Sequence, residues 1–219
     1  MKDVIVSPSV LGADFLNFEK EVNRIKEAGM KWIHFDVMDG HFVKNVSFGN
    51  IFLQRIDPNI DLVKDVHIMI ENPLEMVEKY QEAGADYLTF HYEACKDDAE
   101  VFAVIDKIHA CNMKAGLSIK PGTHVDKVYP FLHSLDLVLI MSVEPGRGGQ
   151  KFMELSLNRI AALKNKIKEE NVSVLISVDG GVNDVTGPDC IKMGADVLVV
   201  GQYLFGHDDF EERYQRLLK

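Results

Sequence analysis

A chain of 219 residues that is 47% hydrophobic and 26% charged can bury a sizeable core, which excludes a disordered or low-complexity protein. Acidic residues outnumber basic ones by 34 to 24, giving a net charge of −10. That balance disfavours non-specific binding to nucleic acid or an anionic membrane, so any anionic ligand needs a local device to hold it.

Short apolar runs alternate with longer amphipathic stretches along the whole chain. The runs are VIVSPS at 4–9, WIHFDV at 32–37, VKDVHIMI at 63–70, YLTFHY at 87–92, KAGLSI at 114–119, LVLIM at 137–141, VLISVD at 174–179 and VLVV at 197–200. They predict eight strands. Helical periodicity lies between most of them: Phe15, Phe18, Val22, Ile25 and Ala28 share one face, as do Met76, Val77 and Tyr80. The same holds for Val101, Val104, Ile105 and Ile108, and for Leu157, Ile160, Leu163 and Ile167. The second connection, Phe48 to Ile56, carries the shortest helix, and Phe210 to Leu217 the last. Asn183 is placed to cap the helix after the seventh strand. Gly29, Gly84 and Gly194 stand where a helix gives way to a strand, in the repeated phrases EAGMKWIHF, EAGADYLTF and KMGADVLVV. A serial βα repeat of this kind predicts an α/β fold, a (β/α)8 TIM barrel occupying residues 1–219 as one domain. The rival, an open doubly wound sheet, lacks a GxGxxG after the first strand.

Cys95, Cys111 and Cys190 form no CxxC pattern and read as small buried hydrophobes in a reducing compartment. No run of 18 apolar residues exists, and the N-terminal MKDVIVSPSVLGADF meets an Asp and a Pro too early for a signal peptide. A soluble cytoplasmic protein is expected.

The unusual residues cluster at strand ends. Strand alternation puts His34, Asp36 and Met38 on one face of the second strand, and His67 and Met69 on one face of the third; the seventh ends in Asp179. A buried parallel strand should be almost wholly apolar, so ionisable groups on an inward face need a reason. One at a time, each His reads as a donor to a buried carbonyl and each Asp as a loop cap. Together, two imidazoles and two carboxylates converging on the carboxyl rim of a barrel make a first shell for one divalent ion per subunit, Zn²⁺, Fe²⁺, Mn²⁺ or Co²⁺. Glycines follow three late strands in turn: Gly146, Gly148 and Gly149, then Gly180 and Gly181, then Gly201. Their backbone N–H groups can face an oxyanion, a phosphate site on an acidic protein. Met38, Met69 and Met141 read either as an apolar floor for that site or as barrel packing. Ser9 ends the first strand within reach of the rim. His91 and Lys120 end strands too, and are expected behind the site or facing solvent; Trp32 is expected to pack outward against a helix.

The chain resembles the ribulose-phosphate 3-epimerase family. The matching segments are SPSVLGADF at 7–15, WIHFDVMDGHFVKN at 32–45, DVHIMIENP at 65–73, IKPGT at 119–123, IMSVEPGRGGQKFM at 140–153, VDGGVN at 178–183 and GADVLVVG at 194–201. The resemblance implies that His34, Asp36, His67 and Asp179 bind the metal and that Asp36 and Asp179 double as the acid/base pair. It implies substrate contacts from Ser9, His67, the loop of Gly146, Arg147, Gly148 and Gly149, from Gly180 and Gly181, and from the turn of Gly201 and Gln202. The implied reaction interconverts D-ribulose 5-phosphate and D-xylulose 5-phosphate through an enediolate. A homodimer is implied, with a hexamer possible, and neither a nucleic-acid nor a membrane partner. The family usually carries an aromatic residue where Arg147 stands, a Ser at Gln202 and a Pro at Lys44, so the departures concentrate at the phosphate end. Three other readings stand beside this one: a sister epimerase acting on a hexulose 6-phosphate, a sugar-phosphate-binding barrel without turnover, and a metal-free phosphate barrel such as a decarboxylase, whose expected catalytic lysine this pattern lacks.

Overall fold

The computed structural model describes residues 4–55 and 61–219. Its strands are β1 (Ile5–Pro8), β2 (Trp32–Met38), β3 (Val63–Met69), β4 (Tyr87–His91), β5 (Lys114–Ile119), β6 (Leu137–Met141), β7 (Leu175–Asp179) and β8 (Val197–Val200). All eight predicted strands form, with each end within one residue of its apolar run. They pair in parallel in the order β1-β8-β7-β6-β5-β4-β3-β2. Between β1 and β2 the ladder is reduced to one parallel bridge, Ser9 to His34. The result is a nearly closed (β/α)8 barrel.

The helices are α1 (Phe18–Glu27), α2 (Asn50–Gln54), α3 (Pro73–Glu82), α4 (Asp98–Ala110), α5 (Leu155–Glu169), α6 (Thr186–Met193) and α7 (Phe210–Leu217). Of the expected second helix, Phe48 and Gly49 precede α2 and Ile56 lies outside the described residues. Phe15 does not join the α1 face: it sits in a separate 3₁₀ turn, 47% exposed, with its ring against Phe48 and Phe52. The connection from β5 to β6, for which the sequence suggested no element, is a 3₁₀ helix over Val125–Ser134. Pro130 within it removes the N–H that an α-helix would use, and the tighter winding tolerates the loss. Gly29, Gly84 and Gly194 end α1, α3 and α6 with φ of 77°, 82° and 113°, the left-handed turn in which a Cβ is penalised.

The main core lies between barrel and helices. Val22 and Ile25 of α1, Val77 and Tyr80 of α3, the four predicted residues of α4, and Ile160, Leu163 and Ile167 of α5 bury there against outward strand residues such as Phe35, Phe90 and Ile176. Inside the barrel, Trp32, Leu137 and Val197 form a second cluster with Ile5, Val63, Tyr87 and Leu175 packed against it. Trp32 therefore faces inward, not outward as expected, with its ring 4.6 Å from that of Tyr87. Strand alternation explains it, because residue 32 shares its face with His34, Asp36 and Met38. Along the outside, no helix among the described residues is long and apolar enough to cross a membrane.

Candidate active site

Register assembles the site. In β2 and β3 the Cα partners are His34 with Asp65, Asp36 with His67, and Met38 with Met69, so alternate inward positions of the two strands lie side by side. Asp179 arrives at the end of β7 beside Met141 of β6. One ligand atom from each of His34, Asp36, His67 and Asp179 lies within 4.8 Å of every other, and these are the four residues singled out from the sequence. Asp36 is the hub: its Oδ1 lies 3.3 Å from His34 Nε2 and 3.0 Å from His67 Nδ1, while Oδ2 accepts the Ser9 hydroxyl at 2.5 Å. His34, Asp36 and His67 are buried, and the Asp179 side chain keeps 17% exposure.

Crowding decides the charges. Burial works against ionising either Asp, but the two imidazoles hold the Asp36 carboxyl well below its usual range. Asp179 goes the other way: burial, and then the neighbouring Asp36 carboxylate, push it up. For His34, burial opposes the cation, yet Asp65 and Asp36 together raise its pKa well above the usual imidazole value. A pocket with two carboxylates so close, one already forced towards protonation, is one in which a divalent cation relieves the repulsion.

Above this cluster opens a cavity of about 170 Å³. Ser9, Asp36 and Asp179 reach it from the cluster, and Met38, Met69 and Met141 line it. All the glycines expected at an anion site line it as well, together with Arg147 and Gln202. Gly180 and Gly181 turn with φ of 112° and 64°; a Cβ on Gly180 would stand 2.4 Å from Val143 Cγ2, and one on Gly181 2.6 Å from the backbone nitrogen of Phe152. Only glycine permits that approach. The Gly146–Gly149 loop is tied at its start, where Asn45 Nδ2 donates to the Gly146 carbonyl at 2.8 Å, and at its end the Gln202 amide occupies the space a Cβ on Gly149 would need. Arg147 is exposed, its carbonyl accepting from Gln150 Nε2 at 2.9 Å. His67 has no exposed surface and is absent from the cavity lining, so its expected contact with substrate has no support in this geometry.

The described family resemblance is borne out by comparison. Residues 5–205 match the model of the ribulose-phosphate 3 epimerase family. The ribulose-phosphate 3-epimerase of Bacillus subtilis is 41% identical over 205 residues, 93% of each chain. That of Chlamydia pneumoniae is 40% identical over 209 residues, 94% of this chain and 90% of its own. This chain belongs to the ribulose-phosphate 3-epimerase family. It is accordingly an epimerase. Among solved structures, a mutant tryptophan synthase alpha-subunit from Pyrococcus furiosus superposes with TM-score 0.71 at 11% identity, covering 98% of this chain and 97% of its own. 3-Hexulose-6-phosphate synthase from Salmonella typhimurium gives 0.64 at 15%, covering 98% and 96%. At such identities the likeness shows the barrel alone.

Sequence reasoning missed several residues on which the epimerase site leans. Asp65 lies 2.7 Å from His34 Nδ1 and 3.3 Å from Ser7 Oγ, orienting the imidazole from behind. Its signal was present, since 65, 67 and 69 share the inward face of β3. His91, expected behind the site, is there: its Nε2 lies 2.9 Å from His67 Nε2. Lys120 instead sets its ammonium 3.8 Å over the Phe42 ring. Ser142 Oγ, 2.7 and 2.6 Å from the carbonyls of Asp179 and Gly180, locks the end of β7; no sequence pattern marks it. Asn183, expected to cap α6, stands two residues before the cap position, which Val185 holds; its Oδ1 accepts from the N–H groups of Val185 and Thr186 in the turn that leads into the helix. The cysteines are free, but only Cys190 is buried; burial pushes its thiol, and that of the half-buried Cys95, up to about 12.

Proposed function

We propose that the enzyme interconverts D-ribulose 5-phosphate and D-xylulose 5-phosphate by moving a proton at C3 between substrate and two aspartates, Asp36 and Asp179. One observation carries the reading: two carboxylates and two imidazoles converge within 4.8 Å under a cavity ringed by glycine loops. The donor set suits a single ion among Zn²⁺, Fe²⁺, Mn²⁺ and Co²⁺, held by His34, Asp36, His67 and Asp179. When bound, such an ion supplies Lewis-acid stabilisation of the charge that develops on the sugar's carbonyl oxygen.

The chain's own groups do the rest. Inverting C3 means removing a proton beside the carbonyl and returning one to the opposite face, through an enediolate. Asp36 and Asp179 come from β2 and β7 and both reach the cavity, as a two-sided exchange demands. Ser9 fixes the direction of the Asp36 carboxylate through its hydroxyl. Met38, Met69 and Met141 line the reacting end without offering a competing proton donor. Backbone N–H groups of Gly146, Gly148, Gly149, Gly180, Gly181 and Gly201 take the phosphate, with Arg147 and Gln202 at its edge. The proposal includes a cytoplasmic homo-oligomer, dimer or hexamer, which light scattering reads directly.

Asp36→Asn and Asp179→Asn should each abolish epimerisation while circular dichroism stays parental. Retention of more than about a tenth of the parental rate by either sinks the two-aspartate mechanism. Exchange of the C3 proton with heavy water separates turnover from mere binding. Comparing kcat/KM for pentulose and hexulose phosphates separates the two epimerase substrates.

A further inference from the structure

To ligate an ion, both imidazoles of the cluster must present a lone pair inward, and the chain orients the two rings by different means. His34 is set directly, its Nδ1 facing the Asp65 carboxylate and its Nε2 left towards Asp36. His67 turns the other edge inward: Nδ1 lies 3.0 Å from Asp36 Oδ1, and Nε2 meets a third imidazole, His91 Nε2, at 2.9 Å. Two ring nitrogens at that distance share one proton, so the tautomer of one dictates that of the other. Left to itself, His67 would settle wrongly. With its proton on Nδ1 it donates to Asp36, and the lone pair a metal needs is lost.

Glu93 breaks the tie. Its Oε2 lies 3.2 Å from His91 Nδ1, while Oε1 accepts the Lys120 N–H at 2.8 Å and the Thr123 hydroxyl. Facing a carboxylate, His91 keeps its proton on Nδ1; its Nε2 is then an acceptor, and His67 must donate from Nε2. His91 has no exposed surface, and the Phe42 ring covers it at 4.8 Å, so bulk water offers no substitute partner. We propose that His91 and Glu93 form a positioning relay that presets His67 in its metal-ligating tautomer before the ion arrives. The inference rests on the metal centre proposed above and adds two residues that act on it from behind.

Glu93→Gln tests the relay because it keeps the shape and removes one acceptor. The glutamine oxygen stays with its two donors, Lys120 N–H and Thr123 Oγ, so its NH₂ turns to His91 Nδ1 and the proton order inverts. Two-bond ¹H–¹⁵N spectra of the chelator-treated full chain should show His67 Nε2 protonated and His91 Nε2 bare in the parent, and the reverse in the variant. Cobalt(II) affinity, read by visible absorption against a competing chelator, should fall about ten- to hundredfold. Ile160→Val, a mild loss in the core under α5, should keep parental affinity and so separates the relay from general destabilisation. A parent spectrum with His91 Nε2 protonated overturns the relay, whether or not the variant folds. So does a variant that binds cobalt(II) within about twofold of a tightly binding parent, and in that case the metal centre survives. A parent that binds no cobalt(II) overturns the centre itself, and the relay with it.

Discussion

At one point between β4 and β5 there is no room for a side chain. Thr89 and Gly116 are register partners, and a Cβ at 116 would stand 2.1 Å from Thr89 Oγ1, 2.9 Å from its Cβ and 3.2 Å from its Cα. Gly116 is not in the left-handed region, so Gly116→Ala tests steric fit without backbone strain. The Thr89 hydroxyl is buried without a hydrogen-bond partner among the described residues, so moving it breaks no bond. Overpacking a dense core costs about 1–3 kcal/mol, and three contacts below van der Waals range place this change near the top, about 3 kcal/mol. For a chain of this length, that lowers Tm by about 6–12 °C. Thr89→Ala alone should cost about 1 kcal/mol for its lost methyl group. The double variant loses the worst contact, so it should be more stable than the sum of the single effects by about 1–2 kcal/mol. Urea titrations of the four proteins measure the cycle. Gly116→Ala within about 0.5 kcal/mol of the parent, or an additive cycle, refutes the reasoning. Thr89 is also the register partner of His67, so the same strain should weaken metal binding in Gly116→Ala.

Removing the metal should cost stability in proportion to occupancy. An ion at about 100 times its Kd adds about 2.7 kcal/mol, or roughly 5–11 °C in Tm, and a chelator should abolish that increment in calorimetry. Arg147→Phe should leave kcat within about tenfold of the parent and act on KM, because Arg147 is an exposed member of the cavity lining and not one of the four clustered residues; a fall confined to kcat contradicts this. Acid should expose Glu93. Burial raises its pKa, but hydrogen bonds led by His91 and Thr123 bring it down to about 2. A depressed carboxyl stabilises the fold above its unfolded value near 4.5 and loses that stability as pH falls towards 2. The stability gap between parent and Glu93→Gln should therefore narrow by roughly 2 kcal/mol from pH 6 to pH 3, and a gap that widens refutes the assignment.

What could be read in advance was whatever strand alternation controls. The eight apolar runs, and the inward faces carrying His34, Asp36, His67 and Asp179, follow from period two and a closed barrel. The same rule, applied consistently, turns Trp32 inward and brings Asp65 into the site; Trp32 was misread and Asp65 overlooked. Other features were not legible. His91 meets His67 across β3 and β4, and Glu93 receives Thr123 from beyond β5, so the relay depends on the stagger between strands, which no local pattern encodes. The 3₁₀ helix over Val125–Ser134 was missed although Val125, Val128, Phe131 and Leu132 recur at helical spacing, because Pro130 in its middle reads as a helix breaker. Gly116 was read only as part of a strand, although its need to be glycine is set entirely by Thr89 on the neighbouring one.

The weakest part of the barrel and the strongest demand of the site coincide. β1 and β2 share one bridge, at Ser9 and His34, and the hydroxyl of that same Ser9 orients Asp36. Closing the seam and aiming the carboxylate are thus one geometric event. On the far side of β1, two strands away through β8, β7 brings Asp179 to within 3.9 Å of His67 Nδ1. A ladder of backbone hydrogen bonds could have closed this seam without buried charges. Here the backbone supplies one bridge, and the side chains that add a contact across the seam, Ser9 and Asp36, are polar ones that a parallel barrel would otherwise exclude. Carboxylates and imidazoles this close are tolerable only when every member is paired, so the grouping that threatens stability at the rim is also the one that can hold a cation between β2, β3 and β7. In the proposed function, Ser9 and Asp36 then serve both the seam between β1 and β2 and the proton transfer.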